Sequence, residues 1–321
     1  MARTAEQVEQ RAPGGFRHEA LLYAGEDGFV DATVPWIRDA VAEEEPILVV
    51  VGAAKIARLR LELGADAERV AFADMADVGA NPARIIPAWR DFVDAHPGRR
   101  RRLRGIGEPI SAQRRPAELA ECQRHEALLN LAFADADDFW LLCPYDVDAL
   151  DPDVIAKAHH SHPTVVAGGV PRGSAAYESL ETVAGPFAAR LPAPPADADE
   201  LAFAAGTLGA LRRLVSRRAR DAGLARERAE DLVLAVNEVA TNSIRHGGGR
   251  GVLRIWTGDG ALVCDIADAG RIADPLAGRR RPAGGEPGGH GLWLCNQICD
   301  LVQLRTFASG SVVRLHTRLG V

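Results

Sequence analysis

The segment Asp231-Leu-Val-Leu-Ala-Val-Asn-Glu-Val-Ala-Thr-Asn-Ser-Ile-Arg-His246 sets the reading of the chain. Leu232, Ala235, Val236 and Val239 recur at the spacing of one helix face, so the segment is expected to be an amphipathic helix packed by that stripe. Glu238 and Asn242 stand one turn apart on a neighbouring face, where a carboxylate and a carboxamide add nothing to a core. Arg245 and His246 suit the negative end of the helix dipole, and Gly247-Gly-Gly249 can supply a left-handed cap. Further along come Asp268-Ala-Gly270 and Gly288-Gly-His-Gly291. A helical Glu/Asn pair, an Asp-x-Gly turn and a glycine-rich helix start, in that order, point to a nucleotide site.

Around this helix, residues 199–321 read as one unit. Glu200 to Gly223 is expected to be a helix, with Leu208, Leu211, Leu214 and Val215 on one face and Arg212, Arg213, Arg217, Arg218 and Arg220 on the other. The arginine face is either solvated or a dock for an acidic partner. Gly251 to Thr257 and Ala261 to Ala267 alternate around Gly258-Asp-Gly260, the signature of a hairpin. Gly291 to Cys299 reads as a short helix, and Leu301–Phe307 with Ser311–Thr317 as a second hairpin. Residues 270–289 are rich in Gly, Arg and Pro and should be mobile. The unit is therefore expected to be a sheet with helices on one face, a two-layer α/β sandwich.

The preceding half alternates differently. His18–Tyr23, Ile47–Val51, Val70–Phe72, Leu103–Ile106 and Phe139–Cys143 read as strands. Between them, Phe29–Val41, Lys55–Leu63, Pro82–His96, Pro116–Ala134 and Pro152–His160 read as helices. Strands alternating with helices predict a three-layer, mostly parallel α/β domain over residues 16–165. Lys55 follows a strand-to-helix turn, but Ile56 stands where a phosphate loop needs Ser or Thr and no second glycine precedes the lysine, so this turn is not a phosphate site. Residues 166–198 carry Gly168-Gly169, Gly173, Gly185-Pro186 and Pro192-Ala-Pro-Pro195, a density of breakers that marks a linker, with Tyr177–Leu180 a short strand or turn. The first fifteen residues, ending in Pro13-Gly-Gly15, read as a frayed leader.

Ligands of open α/β sheets sit at the C-terminal strand ends, which brings forward Asp74, Glu108 and Asp146. His125, Glu126 and Asn130 add polar groups to an otherwise leucine-rich helix. The candidate sensory-ligand residues are Glu108, His125, Cys143 and Asp146. Their plainer readings are a turn cap for Glu108, a satisfied imidazole for His125 and a small buried hydrophobe for Cys143. A metal site made from His18, Glu108, His125 and Cys143 has no short ligand spacing to support it.

The totals bound the function. The chain of 321 residues exceeds one typical core and favours two domains. Apolar content of 47% and charged content of 26% are those of a folded, soluble protein. A net charge of -6 gives no general field for nucleic acid or an anionic membrane, so neither is expected as a partner. Five scattered cysteines with no secretory signal read as reduced thiols in a cytoplasm, and no apolar run is long enough to span a bilayer.

Two resemblances follow from these motifs. Asn81-Pro-Ala-Arg-Ile-Ile-Pro-Ala-Trp89, Arg104-Gly-Ile-Gly-Glu-Pro109, His125-Glu-Ala-Leu-Leu-Asn130, Cys143-Pro-Tyr-Asp146 and His162-Pro163 resemble the MEDS sensory family of methanogen and methylotroph regulators. That resemblance implies a degenerate RecA-like core that senses a small-molecule cue, with no defined catalytic residue. Glu238-x-x-x-Asn242, Asp268-x-Gly270 and Gly289-x-Gly291 resemble the N, G1 and G2 boxes of the GHKL ATPase superfamily, and Asn237 to His246 is similar to the bacterial serine-kinase anti-sigma factors. This second resemblance implies ATP and Mg²⁺ as cofactors. Asn242 would hold Mg²⁺, Glu238 would be the catalytic base, and Asp268 would read adenine. Gly270, Gly288, Gly289 and Gly291 would make room for base and phosphates.

Ile272 departs from the family, standing where a second G1-box glycine is common. Arg279, Arg280 and Arg281 either compensate by contacting phosphates or form a solvated lid. Cys295 and Cys299 lack a second pair and read as packing residues.

The expected function is thus a cytoplasmic signalling regulator whose ATP-binding domain sequesters a sigma factor or phosphorylates an antagonist protein on Ser or Thr. The alternatives are a non-catalytic, ATP-dependent binding switch and, less favoured because no phosphoacceptor helix pair precedes the ATPase domain, a sensor histidine kinase. A homodimer is compatible with the pattern.

Overall fold

The computed structural model describes residues 15–97, 101–178, 189–282 and 289–320. Its contacts divide the chain into two units, Met1–Phe187 and Ala188–Val321. Among the described residues no helix is long and apolar enough to cross a membrane.

The first unit is built on β1 (Phe16–Tyr23), β2 (Ile47–Val51), β3 (Ala71–Asp74), β4 (Leu103–Gly107), β5 (Phe139–Asp146), β6 (Thr164–Ala167) and β7 (Val170–Gly173). They form a seven-stranded sheet in the order β3-β2-β4-β5-β1-β6-β7. Every pairing is parallel except that of β6 with β7. The connecting helices are α1 (Gly25–Ala42), α2 (Ala53–Leu63), α3 (Met75–Val78), α4 (Ile85–Asp94), α5 (Pro116–Ala132) and α6 (Pro152–Ser161).

Strand side chains alternate between faces, and the alternation sorts the core. Leu21, Tyr23, Val49, Val51, Ile106 and Leu142 meet Phe29, Val34 and Ile37 of α1 and Leu59 of α2 on one face. His18, Leu141 and Cys143 have the opposite parity, and His18 meets α5 through Glu126 and Asn130. Arg104 crosses from β4 towards α1, donating to Asp39 at 2.6 Å and to Glu45.

β6 and β7 lie partly within the stretch read as a linker. Gly168 and Gly169 (φ 56° and 76°) form the turn of this added hairpin, so there the glycines close a strand pair instead of loosening a connection. Tyr177 and Glu178 have no strand assignment; Ser179, Leu180, Gly185, Pro186 and the leader up to Gly14 lie outside the described residues.

The second unit contains a five-stranded antiparallel sheet in the order β11-β12-β10-β9-β8. Its strands are β8 (Asp199–Ala204), β9 (Arg250–Gly258), β10 (Ala261–Asp268), β11 (Leu301–Phe307) and β12 (Gly310–Arg318). Helices α7 (Leu208–Asp221), α8 (Arg226–His246) and α9 (His290–Ile298) pack on one face. Leu211 and Val215 of α7, the stripe Leu232, Ala235, Val236 and Val239 of α8, and Cys295 of α9 bury against Leu253, Ile255, Leu262, Cys264, Ile266, Val313 and Leu315 of the sheet. Each such Leu or Val contributes about 1.5–3 kcal/mol by leaving water.

The opposite face is polar. Arg314 pairs with Asp265 at 2.7 Å, both buried, and donates to the Pro192 carbonyl, while Arg305 donates to that of Ala189. The helix expected from Glu200 does not start there. Asp199–Ala204 is an edge strand paired with β9, because Leu201 and Phe203 alternate towards the core and Glu200 outward to Arg254. The helical stripe begins only at Leu208.

Candidate functional site

Helix α8 holds its apolar stripe under the sheet and thereby turns Glu238 and Asn242, both part-exposed, towards a cleft of about 760 Å³. The same cleft is lined by Asp268, Gly270, Gly289 and Gly291. Residues from three separated stretches of sequence therefore face one space, of a size usual for a small-molecule site. Gly288, expected beside them, lies outside the described residues.

Asp268, the last residue of β10, is fixed from two sides. Ser243 on α8 donates to Oδ2 at 2.6 Å, and the Gly270 amide donates to Oδ1 at 2.7 Å. A carboxylate oxygen has two acceptor positions, so each keeps one for a ligand. Gly270 is required by close approach: a Cβ there would lie 2.7 Å from the His246 carbonyl oxygen and 2.8 Å from Gly247 Cα. At Gly291, on the first turn of α9, a Cβ would meet Glu238 Oε2 and Asn242 Nδ2 at 3.1 Å each. The start of α9, with its outward amides, thus lies directly against the Glu/Asn pair.

The turn after Gly270 is pinned by a relay that the sequence reading did not contain. The Ile272 amide donates to Thr306 Oγ1 at 3.0 Å, Thr306 and Ser311 hydroxyls contact each other, and Ser311 donates to the Gly270 carbonyl at 2.9 Å. Thr306 and Ser311 are cross-strand partners on β11 and β12, a register invisible in local spacing. Ile272 packs its side chain against the core, so where the family commonly has a flexible glycine this chain has an anchored turn.

Arg245, Arg271, Arg280 and Arg281 also line the cleft. Arg280 stands 3.5 Å from Asp274, Arg281 lies over the Trp293 ring, and Arg279 is buried. Arg271 and Ser243 were not among the sequence candidates; the arginine-rich composition of 270–289 signalled the first, and nothing local signalled the second.

The sensory candidates divide. Glu108 sits beyond β4 and accepts from Tyr23 at 2.5 Å and from Lys55 at 2.5 and 2.6 Å; Lys55 also donates to Tyr23 at 2.6 Å. Burial raises the Glu108 carboxyl above its ordinary range, and the Lys55 ammonium opposes that rise. Lys55, at the failed phosphate turn, is thus committed to a carboxylate. Asp146 ends β5 and accepts from the Gly25 and Asp148 amides at 3.1 Å each. Tyr23, Lys55, Glu108 and Asp146 therefore share the C-terminal edge of the sheet, the ordinary ligand position of such folds. Cys143 points elsewhere, lying 3.4 Å from His18 Nε2, and His125 is buried on α5. Of the four, Glu108 and Asp146 share that strand-end edge, whereas Cys143 stands with His18.

Comparison with known proteins accords with this division. Residues 17–163 match the model of the methanogen/methylotroph, DcmR sensory domain family, MEDS, and residues 201–317 match that of the histidine kinase-like ATPase domain. The chain carries an N-terminal MEDS sensory domain and a C-terminal histidine kinase-like ATPase domain. The ATPase assignment implies ATP binding. Among solved structures, the RsbU and RsbW domains of Rv1364c from Mycobacterium tuberculosis match at 18% identity with a TM-score of 0.28. That match covers 40% of this chain and 34% of the other, so the present chain spans about a third of that protein's length. No curated protein gives a significant match.

The ATPase-domain cleft fits a magnesium nucleotide. An amide-bearing residue and a carboxylate stand together, a glycine leaves open the space a Cβ would fill against them, and a carboxylate with spare acceptor positions lies beyond.

Proposed function

We propose that the chain is a signal-transduction regulator whose ATPase domain binds Mg·ATP in this cleft. Under control of a small-molecule cue at the MEDS domain, it would sequester a sigma factor or phosphorylate an antagonist protein on Ser or Thr. The observation that carries this reading is the convergence of Glu238, Asn242, Asp268, Gly270, Gly289 and Gly291 on one cleft.

When bound, Mg·ATP would supply an activated γ-phosphoryl group whose charge the cation shares. The remaining work falls to the chain. Asn242 offers an amide oxygen, a hard ligand suited to Mg²⁺. Asp268, held by Ser243 and the Gly270 amide, has an acceptor position for the adenine amino group. Arg271, Arg280 and Arg281 line the cleft where phosphate charge would need offsetting. Glu238 would take the proton of the partner's hydroxyl as that oxygen bonds to phosphorus and the bond to the departing ADP breaks.

Purified full chain with γ-labelled ATP and candidate antagonist proteins tests this. Label is expected on Ser or Thr of the antagonist, and Glu238→Ala should slow transfer by about 10²–10⁴-fold while ATP still binds. No transfer by the wild type despite ATP binding would sink the kinase reading. That outcome would favour a binding switch, the reading to which the anchored Ile272 turn lends weight.

A further inference from the structure

His18 on β1, Glu126 on α5, Cys143 on β5 and His162 at the end of α6 present one donor atom each, all within 4.8 Å of one another. All four side chains are buried, at 2%, 1%, 1% and 0% exposure. His18 Nε2 lies 3.1 Å from Glu126 Oε2, His162 Nε2 lies 3.2 Å from the same oxygen, and Cys143 Sγ lies 3.4 Å from His18 Nε2.

Hydrogen bonding accounts for only part of this convergence: the Cys143 thiol can donate to His18 Nε2 at 3.4 Å, but the imidazole protons are spent outward. Asn130 Nδ2 donates to the Ser161 carbonyl at 2.8 Å, which turns Asn130 Oδ1 towards His18 Nδ1 at 3.2 Å. An amide oxygen can only accept, so His18 carries its proton on Nδ1. His162 Nδ1 lies 2.9 Å from the Ala158 carbonyl, which likewise can only accept, and 3.0 Å from Ser161 Oγ, whose own proton is directed to the Lys157 and Ala158 carbonyls. Both Nε2 atoms are therefore left with lone pairs, and both face a carboxylate oxygen. His162 Nε2 and Glu126 Oε1 are buried without a hydrogen-bond partner.

Electron-pair donors so placed are arranged to share a cation. We propose that His18, Glu126, Cys143 and His162 form a closed tetrahedral site for a zinc-class divalent cation. A tetrahedron with metal–N and metal–O bonds of about 2.0–2.1 Å and a metal–S bond of about 2.3 Å has edges of about 3.3–3.6 Å. Three of the six observed separations, 3.1, 3.2 and 3.4 Å, are close to those edges, and the remaining pairs lie within 4.8 Å. Two neutral imidazoles, a carboxylate and a thiolate balance a divalent charge, as burial demands. The outer partners are those of a built site: Asn130 and the Ala158 carbonyl fix each ring and its tautomer. With every donor supplied by the protein, the cation would tie β1, β5, α5 and α6 together and leave no position for a substrate.

The test uses the full chain, stripped with chelator and free of nucleotide, titrated with Zn²⁺ or with Co²⁺ as a coloured substitute. One equivalent should bind, and Co²⁺ should show tetrahedral visible bands with a thiolate charge-transfer band. Cys143→Ser should abolish the charge-transfer band, and Glu126→Gln should weaken Zn²⁺ binding by about 10–100-fold or more, the scale seen even for outer partners. Cys122→Ser removes a buried thiol that bonds the Pro109 carbonyl instead, and should bind as the wild type does. Retained far-UV circular dichroism separates loss of a ligand from loss of the fold. Failure of the folded wild type to bind either ion, or equal binding by Cys143→Ser and Glu126→Gln, would overturn the proposal.

Discussion

The two polar clusters of this chain are opposites in construction. In the ATPase domain, Glu238, Asn242 and Asp268 line an open cleft. In the MEDS domain, His18, Glu126, Cys143 and His162 are shut in by the sheet and by α5 and α6, with donors aimed at one another. The open arrangement suits a ligand that arrives, reacts and leaves; the closed one suits an ion that stays. The difference teaches that exposure of the polar groups, more than their identity, separates a cleft open to a ligand from a cluster closed to solvent.

The comparison can be broken most sharply by ligand removal. Chelation of the full chain is expected to lower hydrogen-exchange protection in β1, β5 and α5 while leaving α8 and β10 unchanged. Mg·ATP at about 100 times its Kd should do the reverse, stabilising α8 and β10 by about 2.7 kcal/mol. If both treatments moved both regions alike, the contrast drawn here would fail.

A smaller effect tests the support of Asp268. Ser243→Ala removes the 2.6 Å hydrogen bond to its carboxylate and should weaken ATP binding by about 1 kcal/mol, roughly fivefold, measured by calorimetry. Unchanged affinity would show that the hydroxyl does not orient the carboxylate.

The smallest effect concerns the anchored turn. Ile272→Gly frees a residue whose amide is held by Thr306, and should cost about 0.5–1 kcal/mol in backbone order, read as faster release of a fluorescent nucleotide. Slower release would mean that the anchor does not restrain the turn.

What could be read in advance follows the same division. Glu238 and Asn242 lie one turn apart on one helix, and Asp268 and Gly270 share one turn, so local spacing displays them. Ser243, Thr306 and Ser311 support that site through tertiary contacts, and nothing in their neighbours announces it. The helix expected from Glu200 failed because the pairing of Leu201 and Phe203 with β9 outweighs the local pattern. A metal site from His18, Glu108, His125 and Cys143 has no ligand spacing to support it in the sequence; in the structure His18 and Cys143 stand with Glu126 and His162 instead. Glu108 is drawn to Lys55 and Tyr23, and the parallel crossovers bring in Glu126 and His162 in place of it and His125. A set of ligands drawn from residues 18, 126, 143 and 162 has no spacing to detect; only the sheet order makes it a cluster.

The most direct test of the central claim is calorimetric titration of Mg·ATP into the full chain and into Asn242→Ala. The wild type should bind one equivalent in a Mg²⁺-dependent manner, and Asn242→Ala should lose about tenfold or more in affinity, 1.4 kcal/mol or above, together with the dependence on Mg²⁺. Equal affinity and equal Mg²⁺ dependence in the two proteins would contradict the assignment of this cleft.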